Sequence, residues 1–265
     1  MRWVRWLTSL NISAKRKITQ FLTLLISNLG VFRILKTGLV CPFLYCHGCP
    51  FSLLGCPIGI IQQFIAFGQP PLFTLGLIGI YGTFFGRAFC GWACPFGALQ
   101  DLLSYVRSGK TIRTRNHWYV KYVVLAFVVV SSWITLDTVF CKFCPSGSLF
   151  AAIPFRLVDP SLGFGKFFYI HMVTLAVTVF LVLAISHFWC RYLCPLGALT
   201  GFFNKVSVLA IRFDGDRCRR CKVCLNFCEM GIDKIEDIGY STDCTLCGRC
   251  VENCPEKALS FSPKL

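Results

Sequence analysis

Residues 89–99 read FCGWACPFGAL, and residues 189–199 read WCRYLCPLGAL. Each stretch carries a C-x3-C-P motif, and the two motifs are offset by 100 positions. A second pair of stretches, YCHGCPFSL around Cys46 and FCKFCPSGSL around Cys141, is offset by 95 positions. The chain therefore contains an internal repeat, whose order is apolar stretch, first cysteine motif, half-helix, apolar stretch, second cysteine motif.

The composition favours a membrane protein. Of the 265 residues, 55% are hydrophobic and only 15% are charged, which is too apolar for an ordinary soluble domain. A helix that crosses a bilayer needs about 20 apolar residues. Four stretches approach this requirement and are predicted to span the membrane: Ile18–Val40, Pro71–Gly86, Tyr119–Thr138 and Phe167–Phe188.

Two further apolar stretches, Leu53–Phe67 and Ser146–Leu157, are bounded by Pro or Gly and predict re-entrant half-helices. The predicted fold is an all-α integral membrane bundle of four transmembrane helices, followed by a small α+β two-cluster ferredoxin domain. The membrane domain covers residues 1–212, as two parallel pseudo-symmetric repeats of residues 1–107 and 108–212. The ferredoxin domain covers residues 213–265 and is predicted to be cytoplasmic.

The charge distribution argues for a membrane and against nucleic acid as a partner. Residues 1–212 hold 19 Lys and Arg against 3 Asp and Glu, within a net charge of +15. These basic residues lie at the ends of apolar stretches and form no groove-facing stripe. They concentrate between Arg2 and Lys17 and between Arg87 and Arg115. The positive-inside rule then predicts a multi-pass protein of the cytoplasmic (inner) membrane with both termini in the cytoplasm.

The C-terminal region carries the most specific motif of the chain. The spacing C-x2-C-x2-C-x3-C occurs twice in succession, as it does in bacterial ferredoxins with two [4Fe-4S] clusters, where the fourth cysteine of each run binds the other cluster. A zinc module is the alternative, and two successive copies of this run argue against it. We name the predicted ligand sets tail site 1 (Cys218, Cys221, Cys224 and Cys254) and tail site 2 (Cys244, Cys247, Cys250 and Cys228).

The duplicated C-x3-C-P motifs supply a third ligand set. Residues four apart lie on one face of a helix, so each motif offers two thiolates to one metal. The alternative is four structural thiols, and the recurrence together with proline favours ligands. We name these residues the inner set: Cys90, Cys94, Cys190 and Cys194.

The same symmetry predicts a fourth iron centre from an outer set, which consists of Cys46, Cys49, Cys141 and Cys144. A disulfide between Cys46 and Cys49 is the alternative. His47 lies within this set and is a candidate ligand. Cys41 and Cys56 occur in the first copy only. Three interpretations remain open for them: a disulfide, alternative ligands or structural thiols.

Histidine and glutamine side chains suggest weaker hypotheses. A haem would need paired axial ligands such as His117 and His187, and proton-handling or interfacial roles are the simpler interpretation. Gln62 and Gln63 are candidates for contact with a quinone, and packing is the simpler interpretation. A quinone is thus a candidate cofactor, and haem is disfavoured.

FCGWACPFGALQDLL (residues 89–103) and FWCRYLCPLGAL (residues 188–199) resemble the paired signature of the NapH-type membrane polyferredoxins. The same module occurs in NosR and in CcoG-type proteins. The resemblance covers nearly the whole chain and implies a 4Fe-4S membrane subunit of a quinol dehydrogenase. It implies that the inner set lies at the cytoplasmic side and that Cys218 to Cys254 hold the ferredoxin clusters. CPFLYCHGCPFSLLGCP (residues 41–57) is richer in cysteine than the resemblance implies, which favours a redox centre near the outer face.

Three functions follow from these motifs. The first is a membrane electron-transfer subunit that connects ferredoxin-type clusters with a quinone or an outer-face centre, with redox proteins as partners on one or both faces. The second is an assembly or redox-regulatory iron–sulfur protein for another metalloenzyme. The third is a metal transporter, which the regular ferredoxin motifs argue against.

Overall fold

A computed structural model describes residues 11–31, 39–106, 117–159 and 165–264. Most of this part of the chain is helical, with 3-10 turns at Leu29–Val31 and Val139–Phe143 and π-helical turns at Ser148–Ala152 and Trp189–Leu193. The α-helices are α1 Ile12–Ser27, α2 Pro57–Ala66, α3 Leu72–Phe85, α4 Ala88–Trp92, α5 Pro95–Val106, α6 Val120–Thr135, α7 Pro145–Gly147, α8 Ile153–Val158, α9 Lys166–Ala184, α10 Pro195–Phe203, α11 Val223–Asn226 and α12 Arg249–Glu252.

The predicted bundle of four transmembrane helices is wrong. Among the described residues, only α9 is long and apolar enough to cross a membrane, with 19 residues and a mean hydropathy of 2.3. Helices α1, α3 and α6 have 16, 14 and 16 residues. At the rise of an α-helix they reach about 21–24 Å, which is less than the hydrocarbon core of about 30 Å.

Helix α3 matches its predicted span, whereas local backbone signals end α1 and α6 earlier than hydropathy does. Helix α3 follows Pro71 and ends at Gly86, which has a φ of 55°. Helix α6 ends at Leu136, which has a left-handed φ of 51°. Helix α1 ends at Asn28, twelve residues before the end of the predicted first span. The two predicted half-helices are both helical, as α2 and as the segment from α7 to α8.

Several basic residues behind the predicted orientation lie outside the described residues: Arg2, Arg5, Arg107, Lys110, Arg113 and Arg115. The predicted boundary between repeats, at residues 107 and 108, also lies there. The orientation, the position of the termini and the repeat boundary therefore stay predictions.

Two cores organise the described chain. The first packs aromatic residues such as Phe96, Phe140 and Trp189 between the helices. The second belongs to the C-terminal module, where β3 (Leu209–Phe213) pairs antiparallel with β4 (Leu259–Pro263) over buried isoleucine and leucine side chains. A short parallel pair, β1 (Leu39–Val40) and β2 (Leu54–Gly55), holds the cysteine-rich loop.

Candidate metal centres

The cysteines of the C-terminal module line two separate cavities. One, with an empty volume of about 350 Å³, is lined by tail site 1. The other, of about 360 Å³, is lined by tail site 2. The fourth cysteine of each run crosses over, so Cys228 lines the second cavity and Cys254 lines the first. The structure thus brings together the same two groups of four residues that the spacing predicts.

Tight loops turn these cysteines inward. Lys222 and Gly248 have left-handed backbones, with φ values of 59° and 79°, directly before α11 and α12. Backbone N–H groups point at the sulfur atoms: the N–H of Ala258 lies 3.3 Å from the Sγ atom of Cys254. Burial raises the pKa of the Cys244 thiol to about 12. A bound cation would displace such protons and stabilise the thiolates, which suits a metal site.

The inner set is also brought together. All four of its cysteines are buried. Cys94 and Cys194 each interact electrostatically with Cys90 and Cys190, and these two interact with each other. The N–H groups of Gly97 and Gly197 lie 3.4 and 3.3 Å from the Sγ atoms of Cys94 and Cys194, at the starts of α5 and α10. These amides stabilise negative charge on sulfur.

A buried cation lies beside the inner set. Arg87 is fully buried and donates hydrogen bonds to the carbonyl oxygens of Cys190 (2.6 Å) and Thr242 (2.9 Å). It interacts electrostatically with Cys90 and Cys194. Lys121 is equally buried and pairs with Asp243. Arg87 and Lys121 therefore join the helical part to the C-terminal module and place positive charge next to the inner set.

The outer set requires a correction, because Cys49 does not join the other three cysteines. A cavity with an empty volume of about 320 Å³ is lined by cysteines that we name the distal site: Cys46, Cys56, Cys141 and Cys144. Cys49 instead lies 3.6 Å (Sγ to Oη) from the hydroxyl of Tyr45. His47, the candidate ligand, also lines the cavity. All 18 cysteines are described and free, so neither candidate disulfide is present.

A sequence pattern distinguishes Cys56 from Cys49 and favours the interpretation of Cys56 as an alternative ligand. The pattern C-P-x-G occurs at residues 56–59, 94–97, 144–147 and 194–197. Each copy begins a helix, and in each the glycine N–H points back at the cysteine. Cys49 is followed by Pro-Phe-Ser and lacks that glycine. An alignment on C-P-x-G would have matched Cys56, and not Cys49, with Cys144.

His187, one of the two candidate axial ligands, has carboxylate partners. His187 Nε2 contacts carboxylate oxygens of Asp101 (3.0 Å) and Glu229 (2.9 Å). Burial opposes its positive charge, but Glu229 and Asp101 outweigh this effect and hold the His187 pKa well above its usual value. Arg16 and Arg249 pair with the same two carboxylates. The group is thus an ion-pair network that joins the helices to the C-terminal module.

Gln62 and Gln63 separate in the structure. Gln62 is fully buried, and its Nε2 atom lies 3.4 Å from the Sγ atom of Cys141. Its Oε1 atom accepts hydrogen bonds from the backbone of Phe140 and from Ser132. Gln63 is exposed. The buried amide thus points toward the distal site, which gives Gln62 a partner other than a quinone.

Comparisons with known proteins agree with this geometry. A family model described as a 4Fe-4S binding domain matches residues 67–113, 118–157 and 167–213, and a second model with the same description matches residues 240–260. The inner set, Cys141 and Cys144 lie within the first match, whereas Cys46 and Cys56 lie outside both matches. No solved structure matches the chain.

Curated relatives cover most of the chain. A protein of Methanocaldococcus jannaschii is 30% identical over 78% of this chain and 86% of its own length. The ferredoxin-type protein NapH of Escherichia coli K12 is 28% identical over 76% of this chain and 72% of its own length. The regulatory protein NosR of Pseudomonas aeruginosa is 28% identical over 69% of this chain but only 26% of its own length. The chain is therefore a 4Fe-4S protein of electron transport and belongs to the family of ferredoxin-type proteins that includes NapH.

Proposed function

We propose that the chain carries electrons through iron–sulfur clusters held in series by tail site 1, tail site 2 and the inner set. A [4Fe-4S] cluster at each site would supply a one-electron redox centre. The observation that supports a series is the direct contact between the backbone around tail site 2 and the backbone around the inner set. The surrounding residues hold the sites at these positions, exclude water and balance charge.

Two contacts bring tail site 2 and the inner set together. Gly91 follows Cys90, and a β-carbon at Gly91 would lie 2.5 Å from the carbonyl oxygen of Thr245, which follows Cys244. On the other side, the guanidinium of Arg191 lies against Gly231, close to Cys228. Only packed protein separates the two ligand sets, and such packing favours short distances between redox centres.

Tail site 1 is the end of the series that faces solvent. Cys221 is exposed, whereas the cysteines of the inner set are buried. Cys224 of tail site 1 is buried and interacts electrostatically with Cys250 of tail site 2. Electrons would therefore be exchanged with a soluble redox protein at tail site 1 and would pass to or from the inner set through tail site 2.

Helix α9 is the proposed membrane anchor. Its most apolar 18 residues are only 11% buried within the protein, which supports contact with lipid. Its 19 residues extend over about 28 Å, close to the thickness of a hydrocarbon core. Exposed apolar side chains on α6, such as Phe127 and Trp133, would be covered by lipid as well.

Two experiments on protein purified anaerobically in detergent test the series. Iron and sulfide analysis should find three or more clusters, about 12 iron atoms per chain or more. The double variant Cys90→Ser/Cys190→Ser should lose about four iron atoms and keep the spectra of the tail clusters. A wild-type count of about eight, all in the tail, would contradict the series.

Electron passage is tested separately by mixing dithionite-reduced protein with decylubiquinone and following the reoxidation of the tail clusters. The double variant should be reoxidised much more slowly than the wild type. Equal rates would show that electrons leave the tail directly. A quinone as the natural acceptor is part of the proposal, and no reoxidation by the quinone in either protein would argue for a protein acceptor.

An assembly or regulatory role is the second candidate, and the similarity to the regulatory protein NosR favours it. Deletion of the gene distinguishes the two functions. Loss of maturation of another metalloenzyme, with electron flow to existing enzymes intact, would favour the second candidate. Loss of electron flow with normal maturation would favour the first.

A further inference from the structure

The distal site has the features of a metal centre, and two of its four cysteines, Cys46 and Cys56, lie outside both family matches. Its cavity of about 320 Å³ is close in empty volume to the cavities of tail site 1 and tail site 2, at about 350 and 360 Å³. Like them, it is lined by four cysteines. We propose that Cys46, Cys56, Cys141 and Cys144 bind a further cluster of the [4Fe-4S] class.

The four cysteines of the distal site all face one another. Electrostatic interactions join every pair of them. The same is true of the four cysteines of tail site 2. Four adjacent thiols of this kind can bind one iron centre as thiolates.

The backbone around the distal site supplies donors to sulfur. Cys56 precedes α2, a helix of ten residues, and accepts from the N–H groups of Ile58 and Gly59. Cys144 accepts in the same way from Gly147. Glycine also allows close approach across the pseudo-symmetry: a β-carbon at Gly59 would lie 3.5 Å from Cys141 Sγ, and one at Gly147 would lie 3.8 Å from Cys46 Sγ.

A buried side chain with a fixed orientation adds an independent observation. Gln62 is fully buried, and its carbonyl oxygen accepts from the backbone N–H of Phe140 at 3.1 Å. This hydrogen bond fixes the amide so that its NH₂ group faces Cys141 Sγ at 3.4 Å. Hydrogen bonds of this kind to cluster sulfur ligands stabilise the added negative charge of a reduced cluster.

Cys49 provides a natural control within the same loop. It interacts with Cys46, but it is absent from the interactions of Cys141 and Cys144 and does not line the cavity. It also precedes a proline, as Cys56 does. Substitution of Cys49 therefore removes a buried thiol close to the site without removing a proposed ligand.

The distal site connects to the inner set through aromatic residues, and this part of the inference rests on the proposed function. The rings of Phe140 and Trp189, whose centroids are 6.1 Å apart, lie directly before Cys141 and Cys190. In addition, the N–H of Leu44, a residue that lines the distal cavity, donates to Cys94. A distal cluster would extend the series of centres away from the C-terminal module.

The test is metal analysis of the full chain with the matched pair Cys56→Ser and Cys49→Ser. The wild type should contain about 16 iron atoms, the Cys56→Ser protein about 12, and the Cys49→Ser protein as many as the wild type. Unchanged spectra of the tail clusters would show that Cys56→Ser is folded, and Cys46→Ser serves as a second variant if it is not. Equal iron in all three variants and the wild type would overturn the proposal, and so would an equal loss in Cys49→Ser and Cys56→Ser.

A Cys90→Ser protein separates this proposal from the proposed function. If it loses about four iron atoms while Cys56→Ser and Cys46→Ser lose none, the distal cluster is refuted and the series through the inner set stands. If Cys56→Ser loses iron and Cys90→Ser does not, the distal cluster stands and the inner cluster fails.

Discussion

The side-chain amide of Gln100 lies 3.0 Å from the sulfur of Cys190, measured from Nε2 to Sγ. Gln100 lies six positions after Cys94, in the first repeat, whereas Cys190 belongs to the second repeat. Gln62 occupies the same position after Cys56 and makes the corresponding contact with Cys141. At both the inner set and the distal site, a glutamine six positions after a C-P-x-G cysteine of the first repeat thus contacts a cysteine of the second repeat.

Replacement of Gln100 by leucine should lower the reduction potential of the centre held by the inner set. The amide donates to a sulfur ligand and stabilises the more negative, reduced state. Its loss should shift the midpoint downward by about 60 mV, a tenfold change in a one-electron equilibrium. Potentiometric titration followed by electron paramagnetic resonance measures the shift. Gln63→Leu, a change at an exposed glutamine, is the control, and equal midpoints for Gln100→Leu and the wild type would contradict the role.

Gly91 should be required for docking of the C-terminal module. A β-carbon there would lie 2.5 Å from the carbonyl oxygen of Thr245, a backbone atom that has little room to move. Gly91→Ala should therefore destabilise the protein by about 1–3 kcal/mol. Gly79→Ala in α3, where nothing lies within 4 Å, should instead be neutral or stabilising by up to about 1 kcal/mol. Thermal unfolding in detergent compares the two, and equal effects would show that Gly91 is not a packing constraint.

Local motifs predicted the ligand groups of the C-terminal module better than they predicted the distal site. In the tail, the fixed spacing brings three cysteines into one loop, so the grouping with Cys254 or Cys228 follows from chain geometry. In the first repeat, nine residues separate Cys46 from Cys56, and strand β2 is part of this segment. In the second repeat, only two residues separate Cys141 from Cys144. Spacing therefore pointed to Cys49, and only the β1–β2 pairing places Cys56 at the cavity.

Hydropathy located the apolar helices but not the ends of α1 and α6. Composition alone cannot show that Leu136 adopts a left-handed backbone. It also cannot show that Arg87 and Lys121 are buried, because their partner Asp243 is more than 120 residues away in sequence. Contacts of this range depend on how the C-terminal module docks, which no local pattern contains.

Neutralisation of Asp243 should weaken this docking. Lys121 and Arg87 have no exposed side-chain surface, and Asp243 has almost none. Asp243→Asn leaves two buried cations without this carboxylate, which should cost about 3–5 kcal/mol. Asp214→Asn breaks an exposed pair with Arg217 and should change stability by less than about 1 kcal/mol. Chemical unfolding in detergent measures both changes.

The double variant Lys121→Met/Asp243→Asn tests whether unpaired charge is the cause. Removal of one of the two buried cations should restore part of the stability lost in Asp243→Asn, so the two substitutions should not be additive. If the stability losses of the two substitutions are additive, packing around Thr242, and not unpaired charge, causes the loss in Asp243→Asn. If the Asp243→Asn protein is as stable as the Asp214→Asn protein, the ion pair between Lys121 and Asp243 has no structural role.

Removal of iron should unfold the C-terminal module while the long helices persist. The regular structure of that module consists of two five-residue strands and two four-residue helices. A module of this size buries too little apolar surface to be stable alone, and its two cysteine-lined cavities occupy much of its interior. Metal binding should therefore supply a large share of its folding free energy.

Oxidative removal of iron in the presence of a chelator, followed by limited proteolysis, tests this dependence. Cleavage should appear on the C-terminal side of about Leu209, while the far-ultraviolet circular dichroism of the helices changes little. Protein kept anaerobic with the same chelator is the control, because intact clusters should protect the module. Equal resistance to protease before and after loss of iron would mean that the contacts of Trp92 with Leu246 and of Arg87 with Thr242 suffice to hold the module folded.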